Sequence, residues 1–391
     1  MPNLSSSLAG LHNQQLNVLA PSGIRGFDKK ISSVDGLIKL TIGEPDLDTP
    51  EHVKQASVDS ILNNDSHYAD QTGKKELRDA IVNHLANKYD LKYDADSEVI
   101  VTVGATEALY STFASILNKG DKVIVPTPTF ALYFPIISIL GGEVIKVDTS
   151  DDGFILQPEK LQAVLDEHGD SVKAILLNYP SNPTGVEYSK DDLSKLAAII
   201  KEHPMYVLSD EIYSDLTYGV EHHSIASMLP EQTIYISGLS KSHAMTGYRV
   251  GYICGPQEII KKIGMVHAFV VTSVTNSAQV AAAEALKNGE NDPVEMAKIY
   301  QERRDILRDG LTKLGFSMPE PKGAFYMFAK IPAEYGLDDE KFALDLAYEA
   351  KVGVIPGNAF GPGGEGYIRL SYASSKEVIE EALKRIEKFL K

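Results

Sequence analysis

Between about residues 99 and 255 the chain repeats one pattern, a short run of consecutive apolar residues rich in Val, Ile and Tyr followed by a longer stretch of helical period. The runs are VIVTVG, KVIVPTP, EVIKVDT, KAILLNYP, MYVLSDEIY, TIYIS and RVGYICG. Strands that are apolar along their whole length are buried on both faces, and crossover-length connections between them carry the covering helices. The pattern therefore predicts an α/β protein with a mostly parallel, seven-stranded sheet covered by helices. In SKDDLSKLAAIIKEH, Ser189 and Lys190 lead into Asp191 and Asp192, which would sit near the positive end of a helix dipole. After about residue 277 the pattern changes: AQVAAAEALKNG and PVEMAKIYQERRDILRDGLTKLG read as long helices, and the tail mixes short strands with amphipathic helices. Near the start, LIKLTIG reads as a strand and PSGIRGF as an ordered arm. The expected organisation is a large domain over 46–288 and a smaller α+β domain built from both chain ends, 1–45 and 289–391.

Composition narrows the partners. The chain has 391 residues and a formal charge of −16, with no concentrated basic run, which argues against nucleic acid and anionic membranes as ligands. Its single cysteine, Cys254, lies in an apolar run, cannot form an internal disulfide, and fits a reducing compartment. The first positive charge after Met1 is Arg25 and no apolar signal region follows the start, while the longest apolar stretch, ALYFPIISILGG, is about half of what a bilayer span needs. A cytoplasmic protein is expected.

In a parallel sheet of this kind, ligands bind beyond the carboxyl ends of the strands, where loops and helix N-termini converge. The first run ends in Gly104, Ala105 and Thr106, which open a helical pattern and would turn free N–H groups toward an anion. The second ends near Phe130, a flat ring. KAILLNYP leads to Asn182 in SNPTG, MYVLSDEIY ends in Asp210 with Tyr213 three residues on, and TIYIS delivers Lys241. Arg249 follows eight positions after Lys241 and opens the next run. Each feature alone has a plain structural explanation as a cap, a turn or a packing ring. Together they place an anion cradle, a cation, a ring, a carboxylate, a phenol, an amide and an amine on one sheet edge.

These residues carry a resemblance that extends over nearly the whole chain. GLSKSHAMTGYRVG, NPTG and the Asp-x-x-Tyr of SDEIY resemble the fold-type I, class I pyridoxal-phosphate aminotransferases of the aspartate aminotransferase superfamily. PSGIR, LTIGEPD and GLSKSHAMTGYR are most similar to bacterial aromatic and N-acetyl-diaminopimelate aminotransferases. The resemblance implies pyridoxal 5′-phosphate as cofactor, with Lys241 forming the internal aldimine, Asp210 pairing with the pyridinium N–H, and Tyr213 and Asn182 bonding the ring oxygen. It implies that Gly104, Ala105, Thr106 and Arg249 hold the phosphate and that Phe130 stacks on the ring, in a chain with no tryptophan. Many relatives carry a serine where Gly238 stands, which leaves Ser237 or Ser240 to supply a phosphate hydroxyl. Arg369 in GYIRLSYA matches the arginine that binds the substrate α-carboxylate, with Gly43 and Asn182 beside the substrate and Arg25 as a candidate for its distal group. Tyr68 in SHYADQTG matches a tyrosine that reaches the neighbouring subunit's cofactor, so a homodimer with active sites at the subunit interface is implied.

The implied activity is transfer of an amino group between an L-amino acid and a 2-oxo acid such as 2-oxoglutarate. Phe27, Tyr68, Phe130 and Tyr133 near the expected mouth would favour aromatic donors. N-acetyl-diaminopimelate and aspartate are alternative donors, and a carbon–sulfur lyase or a transcriptional regulator could share the cofactor contacts. A regulator would need a DNA-binding domain ahead of LTIGEPD, where only about 40 residues stand. GPGGEG fits a dinucleotide-type glycine string but leads into a strand, so it reads as the loop presenting Arg369. His222 and His223 are adjacent, with no metal spacing around them, and no metal site is expected. His243 reads as a loop histidine packed beside the site rather than a second base.

Overall fold

The computed structural model describes residues 2–19 and 23–391. Its strands are β1 (Ile38–Lys39), β2 (Val99–Thr102), β3 (Lys122–Thr127), β4 (Glu143–Asp148), β5 (Val172–Asn178), β6 (Tyr206–Asp210), β7 (Thr233–Gly238), β8 (Gly251–Cys254), β9 (Tyr326–Lys330), β10 (Val352–Gly353), β11 (Ile355–Pro356) and β12 (Tyr367–Ser371). All seven apolar runs form strands of one sheet, in the order β2-β8-β7-β6-β5-β3-β4. Only β8 runs antiparallel to its neighbours; the other pairs are parallel.

Burial follows the pattern that predicted it. β2, β7 and β8 are buried at every position, and the alternation of side chains splits them between two cores. Val99, Val101, Tyr235 and Tyr252 join Leu77, Ile81 and Ala281 of the helices on one face. Ile100, Ile234 and Ile236 join Phe113 and Ile263 on the other. The edge strand β4, EVIKVD, is largely open to solvent, and its charged positions suit an edge that must not pair further. Cys254 is fully buried in β8 as a small apolar residue.

The helix expected after Ser189 spans Lys190–Ile200, and its start is closed by a capping box in which Ser189 and Asp192 satisfy each other's backbone N–H. The two long helical patterns become Asn276–Asn288 and Asp292–Lys313. The tail builds an antiparallel sheet β11-β12-β9, and β1 pairs in parallel with β10, so the chain start joins the chain end. Helices Asp292–Lys313 and Lys376–Leu390 pack together so closely that a Cβ on Gly310 would lie 2.4 Å from a methyl of Leu383.

Two expectations near the start need correction. LIKLTIG is a strand only at Ile38–Lys39, because pairing with β10 ends there. Beyond it the backbone turns away, and the carbonyls of Thr41 and Gly43 accept side-chain hydrogen bonds instead. In PSGIRGF, Gly23–Ile31 is helical and sends Phe27 and Ile31 into the core, so Phe27 lines no mouth; Pro21 and Ser22 lie outside the described residues.

Candidate active site

The carboxyl ends of β2, β3, β5, β6 and β7 share one edge of the large sheet, and β8, running the other way, begins there. That topology brings Gly104, Phe130, Asn182, Asp210, Lys241 and Arg249 to one region although about 145 positions separate the first from the last.

β6 ends in Asp210, which is 3% exposed. Its Oδ2 accepts a 2.6 Å hydrogen bond from the Tyr133 hydroxyl, and its Oδ1 a weaker one, 3.3 Å, from the Ile212 N–H. Burial pushes its carboxyl pKa up to about 6, against the pull of those two donors, with Glu211 adding to the rise and Lys241 opposing it. Tyr133 is therefore not a mouth residue. It is fully buried at the start of the helix Tyr133–Ile139, with Phe130 edge-on to it at 5.6 Å. Its role was hidden in the sequence because 77 positions separate it from its partner, and only the β3–β5–β6 order brings them together.

Lys241 follows β7 in a single helical turn, Leu239–Ser242. Its Nζ donates to the Gly43 carbonyl at 2.6 Å and lies over the rings of Tyr213 and Phe325 at 5.8 and 5.7 Å. Burial lowers the amine's pKa to about 8; Glu44 and Asp210 pull it up, while Arg249 and Arg369 push it down. Lys241 thus sits within electrostatic range of Asp210, Arg249 and Arg369, three of the charged groups predicted for the site. Small neighbours make this approach possible: a Cβ on Gly238 would lie 2.8 Å from the Val250 carbonyl oxygen, and one on Gly251 would lie 2.6 Å from the Ala105 nitrogen.

Arg249 adopts φ +55°, the left-handed region that a side-chain-bearing residue rarely takes. This turns its guanidinium back onto the start of the helix Gly104–Ile116, where a Cβ on Gly104 would stand 2.5 Å from Nη2. A helix N-terminus and a guanidinium therefore meet at one point, the arrangement an anion needs. Beside it opens a cleft of about 590 Å³ lined by Thr49, Val103, Ala244, Tyr248, Arg249 and Val274, on the Arg249 side of the site rather than over Lys241. Ser240 is buried beside Lys241, whereas the Ser237 hydroxyl is committed to the Glu211 carbonyl at 3.2 Å.

Arg369 comes from β12 and is 2% exposed. Nη1 donates to Asn182 Oδ1 at 2.9 Å, Nη2 to the Thr41 carbonyl at 2.6 Å, and Nε is buried with no partner. Its guanidinium carbon lies over the rings of Tyr326 and Phe360, 4.5 and 5.0 Å from their centroids. No ion pair joins Arg369 to a carboxylate among the described residues; burial and the nearby Lys241 amine oppose its charge, and the phenols of Tyr326 and Tyr213 favour it. An uncompensated buried guanidinium is costly, and an anionic ligand is what would offset it. Tyr213 is buried, and its hydroxyl lies 2.8 Å from that of Tyr326. Thr106 and Arg25 are exposed, as is Tyr68 at 89%.

The histidines differ from expectation in one respect. His222 is flanked by two carboxylates that the sequence did not link to it, Glu187 Oε1 at 2.8 Å from Nδ1 and Glu211 Oε2 at 2.7 Å from Nε2. These hold the imidazole protonated although burial opposes it. His223 does not share this environment, and His243 is buried in the loop after Lys241, bonded to Ser242 and to the Gly289 carbonyl, its pKa lowered by burial.

Residues 35–386 match the family model for aminotransferase class I and II. The chain belongs to this aminotransferase family. It is 42% identical over 380 residues, 97% of this chain and 96% of the relative, to a Bacillus subtilis protein named "Probable N-acetyl-LL-diaminopimelate aminotransferase". It is 35% identical to an aromatic-amino-acid aminotransferase of Thermococcus litoralis, over 97% of this chain and 98% of that one. Among solved structures, the aspartate aminotransferase of Thermus thermophilus with maleate superposes with a TM-score of 0.91 at 37% identity, covering 100% of both chains. The protein is an aminotransferase of the fold-type I architecture, as the resemblance implied.

Proposed function

We propose that this aminotransferase uses pyridoxal 5′-phosphate at the Lys241 edge of the sheet, and that it exchanges an amino group between an L-amino acid, aromatic donors favoured, and a 2-oxo acid such as 2-oxoglutarate. The observation that carries this reading is the buried, carboxylate-free guanidinium of Arg369 facing an amine of lowered pKa, Lys241. The residues fit the cofactor: the Gly104 N-terminus and Arg249 for its phosphate, with Ala105, Thr106 and Ser240 beside them, Asp210 for its ring nitrogen, Tyr213 and Asn182 for its ring oxygen, and Phe130 for its face. When bound, it supplies an aldehyde for the amino group and a ring that takes up electron density from the substrate carbon.

The side chains do the rest. Arg369, with Gly43 and Asn182 alongside, orients the substrate carboxylate through two parallel N–H bonds. Lys241, part of whose population is neutral near physiological pH, takes the proton from the substrate Cα. Asp210 stays charged beside the ring nitrogen because Tyr133 and Ile212 donate to it.

Aromatic donors suit a carboxylate site whose arginine lies over Tyr326 and Phe360, with Phe325 beside Lys241. The relatives' names also include aspartate and N-acetyl-LL-diaminopimelate, and Arg25 is the candidate contact for a distal group. The exposure of Tyr68, 89%, and of the large apolar side chains Leu4, Leu11, Ile61, Leu62 and Phe269 supports a homodimer in which a partner subunit covers part of this surface, and a cytoplasmic location is proposed with it. The large unit is taken as 46–288 and the small one as 1–45 with 289–391.

The test is optical. Purified protein saturated with pyridoxal 5′-phosphate should absorb in the visible, lose that band on adding tyrosine or phenylalanine, and regain it with 2-oxoglutarate. A band unmoved by tyrosine, phenylalanine, aspartate and N-acetyl-LL-diaminopimelate alike would defeat the proposal. Faster initial rates with either of the last two would replace the aromatic assignment.

A further inference from the structure

Tyr326 touches three separate parts of the site, and no residue pattern in the sequence marked it. It is the first residue of β9, and the antiparallel register pairs it with Ser371 and pairs Phe328 with Arg369. Residues two apart on a strand share a face, so Tyr326 is the diagonal neighbour of Arg369 across the ladder. Its ring lies 4.5 Å under the guanidinium. Its hydroxyl reaches the Tyr213 hydroxyl at 2.8 Å. The same hydroxyl packs against the Gly43 backbone so tightly that a Cβ there would come within 2.3 Å of it, and the Gly43 carbonyl is the acceptor for Lys241.

We propose that Tyr326 is a positioning residue that acts through two neighbours by two different parts of its side chain: the phenol proton strengthens Tyr213 as a donor to the bound cofactor's ring oxygen, and the ring holds Arg369 in plane for the substrate carboxylate. This rests on the cofactor assignment above. A phenol has one proton. When Tyr213 gives its proton to a ligand oxygen, the 2.8 Å bond between the two hydroxyls requires Tyr326 to be the donor. A phenol that accepts a hydrogen bond while donating another is polarised toward stronger donation. The Arg369 guanidinium lies over the Tyr326 and Phe360 rings and is held by these contacts and its bonds to Asn182 and Thr41 rather than by an ion pair.

The two contacts separate by substitution. Tyr326→Phe removes the hydroxyl and keeps the ring, whereas Tyr326→Leu removes both. The readouts, taken on holoenzyme, are the midpoint pH of the cofactor's visible absorbance change and the KM for the amino donor. Removing a donor from an oxygen raises that oxygen's affinity for a proton. Tyr326→Phe should therefore raise the midpoint by about 0.3–0.7 pH unit with KM within about twofold of the parent. Tyr326→Leu should show the same shift together with a KM raised about fivefold or more.

The Tyr213→Phe background supplies the control that folding defects cannot imitate. If Tyr326 works through Tyr213, Tyr326→Phe shifts nothing further there. An unshifted midpoint in Tyr326→Phe, a shift that persists undiminished without the Tyr213 hydroxyl, or an equal rise in KM for both variants would overturn the proposal. A parent enzyme without any visible band would instead refute the cofactor assignment, so the two failures are distinguishable.

Discussion

The amine of Lys241 is the most exposed point of this reading to experiment. Its ordinary pKa is 10.5, and burial lowers it to about 8. The difference corresponds to roughly 3 kcal/mol of disfavoured charge. At pH 7 the neutral fraction is then about one in ten, against about one in three thousand for a solvated lysine. Competitive labelling of the cofactor-free enzyme with trace acetic anhydride from pH 6 to 11, read by peptide mass spectrometry, follows that fraction. Reagent access scales the rate but leaves the midpoint unchanged. Lys241 should titrate near 8, well below the ordinary lysine value of 10.5.

The signs of the neighbouring charges extend the test. Arg249 and Arg369 disfavour the ammonium, so Arg249→Gln or Arg369→Gln should raise the midpoint by a few tenths of a unit, whereas Glu44→Gln should lower it. A midpoint for Lys241 at the ordinary lysine value of 10.5, or a Glu44→Gln shift upward, would show that burial and these charges do not set the amine's state.

Other outcomes follow from the same contacts. Lys241→Met should stabilise the cofactor-free chain in urea by up to about 3 kcal/mol at pH 7: the native pKa is depressed, so native stability rises with pH between about 8 and 10.5, and the gap between variant and parent should close over that window. Arg369→Lys should raise KM for the amino donor about thirtyfold or more, since an ammonium cannot reproduce two parallel N–H bonds, and steady-state kinetics showing less than a threefold change would contradict the carboxylate assignment. Tyr133→Phe removes the 2.6 Å donor to Asp210, so the carboxyl should protonate about one unit above its present pKa of about 6. Cofactor affinity, followed by absorbance titration, should then begin to fall about one pH unit earlier as pH is lowered, and an unmoved profile would mean that Tyr133 does not hold that charge.

Much of this molecule was already determined by local pattern. Seven near-continuous apolar runs could be buried on both faces only by a helix-covered sheet, and the residues following a run had to fall at its carboxyl edge, which is why Gly104, Asn182, Asp210 and Lys241 could be named together; Arg249 opens its run and shares that edge because β8 is antiparallel. Ser189 and Asp192 closed their helix as their spacing required, because a capping box is a contact between residues three apart.

Contacts between distant segments were decided only in three dimensions. Thr41 and Gly43 of LTIG turned their carbonyls to Arg369 and Lys241 instead of extending a strand, since the ladder with β10 ends at Lys39. Tyr133, which read as a mouth aromatic, met Asp210 through the strand order, and His222 met two carboxylates from segments 35 and 11 positions away. Tyr326 reached Arg369 through a register that no residue type encodes. Periodicity tells which face of an element is buried; which side chains meet across that burial depends on strand order, register and the closing of loops over long separations.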